Sequence, residues 1–236
     1  MSDPVLAVNG LTVARDGRTV ISGASLALAA GERLAIAGGN GAGKSTLLRA
    51  LIGLEPAGGA ITAFGRDCRA EGDFRAMRLR TGFLFQDSDD QLFNPTVIED
   101  VAFAPLNRGL AREEAFARAS QALADLAIGH LAGRPVDRLS GGEKRLACLA
   151  GLFVAEPDLL LLDEPSNGVD RAHAERLVAI LSQWRGAMIL VSHDTEFLAR
   201  LAGRVMLLDG GRLRPALVHR HPHVHAHAHV HPVSDD

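Results

Sequence analysis

Tyrosine is missing from the 236 residues, tryptophan occurs once, and Cys68 and Cys148 are the only cysteines. The two thiols lie far apart without C-x-x-C spacing, which argues against a disulfide framework and fits a reducing cytosol. A basic excess is also lacking: the formal charge is −3 and the pI near 6.4, so nucleic acid is not an expected partner. No apolar run reaches the roughly 18 residues that a membrane-spanning helix needs. No charged-then-apolar leader with a cleavage site stands at the N-terminus. If the protein works at a membrane, another chain is expected to supply the pore.

What is present centres on Gly38-Gly39-Asn40-Gly41-Ala42-Gly43-Lys44-Ser45-Thr46, which fills the phosphate-loop pattern G-x-x-x-x-G-K-[ST]. Arg33 to Ala37 reads as a buried strand before it. Leu47, Leu48, Leu51 and Ile52 recur at helical spacing after it. The loop therefore joins a strand to a helix N-terminus, where free N–H groups and the dipole favour anions. The glycines let backbone N–H groups turn inward, Lys44 is expected to reach the outer phosphates, and the Ser45 hydroxyl to ligate Mg²⁺. The chain is expected to bind a nucleoside triphosphate.

Residues 4 to 30 read as antiparallel strands at Val5–Val8, Leu11–Ala14 and Ser25–Leu28, separated by Asp16-Gly17 and by Ser22-Gly23. Ala60 to Phe64 gives another strand, and Arg78 to Phe85 a β-like run leading into Gln86. From about 87 to 158 the strand signal nearly disappears. Thr96 with Glu99 makes a capping-box pattern and Ala111 to Ala127 is a long helical stretch, so this span reads as an inserted helical subdomain. Leu159 to Leu162 restores an apolar strand. A helix near Arg171 to Arg185, a strand at Met188 to Val191, a helix at Thr195 to Ala202 and a final hairpin complete the order. The expected fold is α/β: a P-loop core with a mostly parallel sheet flanked by helices, an N-terminal antiparallel β subdomain and the helical insertion. Residues 1–218 form that domain and residues 219–236 a tail.

Leu159 to Asp163 followed by Glu164-Pro165 has the form of a Walker B strand, with apolar residues delivering a carboxylate to the sheet edge beside the phosphate loop. Adjacent carboxylates at a strand end point to opposite sides, so Asp163 is expected to face Mg²⁺ and Glu164 to polarise the attacking water. Ser140 and Glu143 have capping-box spacing at the start of another helix. Gly141 and Gly142 in its first turn weaken that helix by about 1 kcal/mol each relative to alanine, which suggests close backbone approach to a ligand.

These motifs, with Val191-Ser192-His193-Asp194, together resemble an ATP-binding cassette (ABC) nucleotide-binding subunit over residues 4 to about 217. The resemblance implies two subunits sandwiching two ATP molecules head to tail. Ser140, Gly141, Gly142 and Glu143 then form the signature turn, which meets the γ-phosphate held by the partner subunit's Lys44. It implies Gln86 as the glutamine contacting Mg²⁺ and coupling to the transport partner, Asp170 at the end of the dimer-crossing loop, and His193 as the switch histidine. Many members stack an aromatic ring on adenine. Here that position falls on Arg15, whose guanidinium plane can also stack on a base; a solvated arginine is the alternative.

The segment from Phe83 through Asn107, with Gln86, Asp87, Asp89 and Asp90, is similar to energy-coupling factor ATPases, including the cobalt and nickel uptake group. That similarity implies a homodimer, or a heterodimer with a related ATPase, at the cytoplasmic face of a membrane. It also implies a transmembrane coupling subunit and a separate substrate-capture subunit. The three aspartates suit a groove for arginine-bearing coupling helices. The tail carries His219, His221, His223, His225, His227, His229 and His231. Imidazole ligates Ni²⁺ and Co²⁺, with Ni²⁺ favoured by affinity order, so the tail suits buffering or sensing an imported ion. An incidental low-complexity tail is the alternative. Import of biotin or another vitamin by the same machine, and a soluble cassette protein acting on nucleic acid or ribosomes, remain open as other functions.

Overall fold

The computed structural model describes residues 3–217. The histidine-rich tail lies outside them. The first sheet pairs β1 (Leu6–Arg15) with β2 (Arg18–Leu28), β4 (Gly58–Ala63) and β5 (Arg66–Asp67), in the order β2-β1-β4-β5, all antiparallel. The second sheet has the order β10-β9-β3-β8-β7-β6. Its strands are β3 (Arg33–Ala37), β6 (Thr81–Leu84), β7 (Leu159–Asp163), β8 (Ala187–Val191), β9 (Arg204–Asp209) and β10 (Arg212–Ala216). All neighbours are parallel except the edge pair β9 and β10.

The turn at Asp16-Gly17 is a two-residue hairpin loop with both residues at positive φ, 49° and 73°, the geometry that matches strand twist. The expected break at Ser22-Gly23 is absent. Gly23 sits inside β2, and Val5–Val8 and Leu11–Ala14 join into the single strand β1. Register shifts in the β1–β2 ladder absorb the extra residues as bulges. A second difference lies at Glu71–Arg78, which forms a helix, α2, before the short strand β6. Met77 is buried and Phe74, three residues before it, packs on the same core, so only two apolar positions in a short and otherwise mostly charged segment announce this helix.

α1 (Lys44–Leu51) follows the phosphate loop. α3 (Val97–Asn107), α4 (Arg112–Asp125) and α5 (Gly141–Phe153) make up the helical insertion, linked by two short 3-10 turns. The Thr96 capping box forms, with its N–H donating to Glu99 Oε2 at 3.1 Å. α6 (Arg171–Gln183) and α7 (Thr195–Leu201) end slightly earlier than the sequence suggested.

The parallel sheet separates two apolar clusters. Leu160 and Leu162 of β7, with Met188 and Leu190 of β8, face the helices of the insertion together with α6 and α7. Leu159, Leu161, Ala187, Ile189 and Val191 face α1 and the antiparallel sheet. Alternate residues are thus buried on both faces, which is why these strands read as unbroken apolar runs. The parallel strands β3, β6, β7 and β8 end on one side, and each delivers a functional segment there.

Candidate nucleotide site

Beyond the carboxyl end of β3, Gly43 takes φ 95° as the N-cap of α1. A side chain there would be strained, and a Cβ would lie 2.8 Å from Val20. Lys44 is 6% exposed and donates to the carbonyls of Gly38 and Gly39 at 3.0 and 3.2 Å. Its Nζ also lies 3.4 Å from Glu164 Oε1. A buried ammonium is therefore held over the loop, at the mouth of a helix N-terminus.

From β7, Asp163 is fully buried and its Oδ1 accepts the Ser45 hydroxyl at 2.9 Å. Its Oδ2 is buried with no partner. Burial pushes the Asp163 carboxyl up, opposed by the Ser45 hydrogen bond and reinforced by the neighbouring Glu164 charge. An orphaned carboxylate oxygen beside a hydroxyl is the donor set a hard cation takes, so the residues present fit Mg²⁺. The next residue, Glu164, is 5% exposed and holds φ 46°, rare for a non-glycine residue. Its backbone is fixed by bonds from Glu164 N to Val191 O and from Asn167 N to Glu164 O, at 2.9 and 3.0 Å. Glu164 Oε2 accepts the His193 backbone N–H at 3.2 Å and lies 2.9 Å from His193 Nδ1. His193 follows β8, whose end lies between those of β3 and β7.

These segments enclose a cleft of about 680 Å³, lined by Asn40 through Thr46, Gln86, Glu164, Asn167, His193, Arg15 and Val20. The structure thus brings the phosphate loop, Gln86, Glu164, His193 and Arg15 to one cleft, with Asp163 buried behind Ser45. Val20 and Asn167 are additions. Asn167 could have been found from its place three residues after Glu164, whereas Val20 carries no sequence signal.

The signature turn and the aspartates lie elsewhere. Gly141 lines a neighbouring groove of about 440 Å³ with Asp87, Asp89 and Asp90. That groove is of mixed charge rather than acidic: Arg49, Lys144 and Arg145 also line it, and Lys144 pairs with Asp89 at 2.5 Å. Gln86 and Asn167 line both the cleft and the groove. Arg145 is 3% exposed and donates to the carbonyls of Phe85 and Gln86 at 2.6 and 2.7 Å. It thereby ties α5 to the glutamine loop, a role the sequence gave no sign of.

The capping box at Ser140 forms, with its N–H donating to Glu143 Oε2 at 2.8 Å and Glu143 N–H donating to Ser140 Oγ at 3.3 Å. The two glycines of the turn also pack closely within the chain. A Cβ at Gly141 would lie 2.9 Å from Gly168 O, and one at Gly142 would lie 2.5 Å from the His173 ring. Close packing within the chain already requires both. Asp170 caps α6, its Oδ1 accepting the His173 N–H at 3.0 Å.

A phosphate loop after one inner strand, with a carboxylate delivered from two strands away, is the arrangement of P-loop nucleoside triphosphatases, and the fold defines that class. The family model described as ABC transporter matches residues 21–167. An ABC transporter ATP-binding protein of Brucella suis is 57% identical over 218 residues, covering 92% of this chain and 91% of that one. The cobalt import ATP-binding protein CbiO of Rhodobacter capsulatus is 46% identical over 219 residues, covering 89% and 77%. The nickel import ATP-binding protein NikO of the same organism is 40% identical over 225 residues, covering 90% and 89%. The solved structure of cbiO1 from Clostridium perfringens, part of the ABC transporter complex cbiONQ, superposes with a TM-score of 0.79 at 32% identity, covering 90% of this chain and 87% of that one. The chain belongs to the ABC transporter family, as an ATP-binding subunit.

Proposed function

We propose that this chain is the ATP-hydrolysing subunit of an energy-coupling factor importer for nickel or cobalt. The observation that carries the hydrolytic part is the cleft in which Lys44, the Ser45–Asp163 pair and Glu164 converge. The cobalt and nickel import names of two relatives, with the seven tail histidines, support the metal.

In this reading Asn40 to Thr46 cradle the phosphates of ATP, and Ser45, Asp163 and Gln86 hold Mg²⁺, which supplies charge neutralisation at the phosphates. Glu164 acts as the base that orients water, and its bond to His193 keeps the carboxylate aimed into the cleft. Arg15 and Val20 flank the base. Ser140 to Glu143 and Asp170 act across a dimer, since they stand outside the chain's own cleft. The groove beside Gln86 receives a membrane subunit, so the protein works at the cytoplasmic face. Among the described residues no helix is long and apolar enough to cross a membrane.

Titration of the full chain, and of a chain ending at residue 218, with Ni²⁺, Co²⁺ and Zn²⁺ tests the metal reading. Binding that disappears with the tail supports a chelating segment, and radiolabelled uptake by cells carrying the transporter then names the ion. Uptake of neither nickel nor cobalt overturns the substrate assignment.

A further inference from the structure

The signature turn packs, within one chain, on the segment that carries Asp170. The contact is made by His173, in the first turn of α6 and partly buried. Two bonds orient it: its backbone N–H donates to Asp170 Oδ1 at 3.0 Å, and its ring Nδ1 lies 2.6 Å from Asp170 Oδ2. With backbone and ring both held by one carboxylate, the imidazole becomes a fixed wall. Against it stands Gly142, where a Cβ would meet the ring at 2.5 Å, while Gly141 stands against Gly168 O. The charged groups around the ring are Asp170 and Glu143, and Glu143 pairs with Arg134 at 2.9 Å.

We propose that His173 is a positioning residue: it locks the Ser140–Glu143 turn to Asp170 as one piece, and its ring demands glycine at 142. The proposal rests on the ATPase reading above, in which both ends of that piece act on the nucleotide held by a second copy. The imidazole touches no reacting atom. It sets the spacing between two segments that must reach the same site together, and a small misplacement of either costs turnover.

The test is a double-substitution cycle in the full-length chain, reading melting temperature, KM for ATP and kcat. Gly142→Ala is expected to lower both kcat and melting temperature, because the new Cβ collides with the ring. Adding His173→Ala removes the obstacle, and the double variant should recover about ten-fold in kcat, the non-additivity expected of touching residues. Alone, His173→Ala should lower kcat about ten-fold with KM nearly unchanged, as for a lost transition-state contribution. His173→Asn, whose amide can donate to Asp170 in place of Nδ1, should restore it. Additive losses in the double variant, or an asparagine variant as poor as alanine, overturn the proposal. Absence of turnover in the unsubstituted chain overturns the ATPase reading instead, and the melting cycle then decides whether the ring excludes a side chain at 142.

Discussion

Ser45 and Asp163 are 118 residues apart in sequence and joined by a 2.9 Å hydrogen bond that uses only one carboxylate oxygen. The other is buried without a partner, an arrangement that favours cation binding over stability. Burial raises the Asp163 carboxyl above the ordinary range. A raised acid favours the folded state at low pH and loses that contribution as pH rises through the folded value. Asp163→Asn should therefore melt higher than the native chain in chelator at neutral pH, with the gain vanishing below about pH 4, the ordinary aspartate value. Saturating Mg²⁺ and ATP should reverse the order by stabilising the native chain more. Calorimetry with and without chelator checks both.

Glu164 sits between Lys44 and His193, buried and in a left-handed conformation. Glu164→Gln keeps the shape and removes the proposed base. Phosphate release should fall by about 100-fold or more, with ATP affinity retained, the range for loss of a general base. A fluorescent-nucleotide titration beside a phosphate-release assay separates the two effects, and retained turnover would remove Glu164 from that role.

Arg145 holds two main-chain oxygens of the glutamine loop from within α5. Arg145→Met leaves both carbonyls without their donor and should cost about 3 kcal/mol. Urea unfolding measures it. An unchanged midpoint would show that other donors reach Phe85 O and Gln86 O.

Burial pushes the Cys148 thiol up to about 12, so it is almost wholly protonated near neutrality. Cys68 is only partly buried, and its pKa is raised mainly by desolvation. Iodoacetamide at pH 8 should label Cys68 first, and Cys148 only after denaturation. Mass spectrometry of the peptides reads the order; early modification of Cys148 would show that α5 opens readily.

The fold was legible wherever burial imposed a pattern. β3, β7 and β8 are apolar because both faces are covered, and the phosphate loop declares itself through glycines that backbone geometry demands. The helix α2 was hidden because it is short and turns only Phe74 and Met77 to the core. The bulged β1 was hidden because a polar interruption at Asn9-Gly10 imitates a turn when register cannot be seen. At the candidate site, the sequence named the residues of the contiguous motifs that line the cleft. Val20 and Arg145 were not, since each acts through a neighbour distant in the chain: Val20 against Gly43, Arg145 through the carbonyls beside Gln86. The glycines of the signature turn showed that space is scarce there, but their neighbours Gly168 and His173 lie too far along the chain to be read from the sequence.

Gln86 and Asn167 line both the cleft and the groove, so these two residues stand between them. A small molecule wedged into the groove would press on the nucleotide's wall from behind without sharing any of its contacts with the phosphate loop. Inhibitors found there would lower maximal velocity and leave the apparent affinity for ATP intact, a noncompetitive pattern that cellular ATP cannot outcompete.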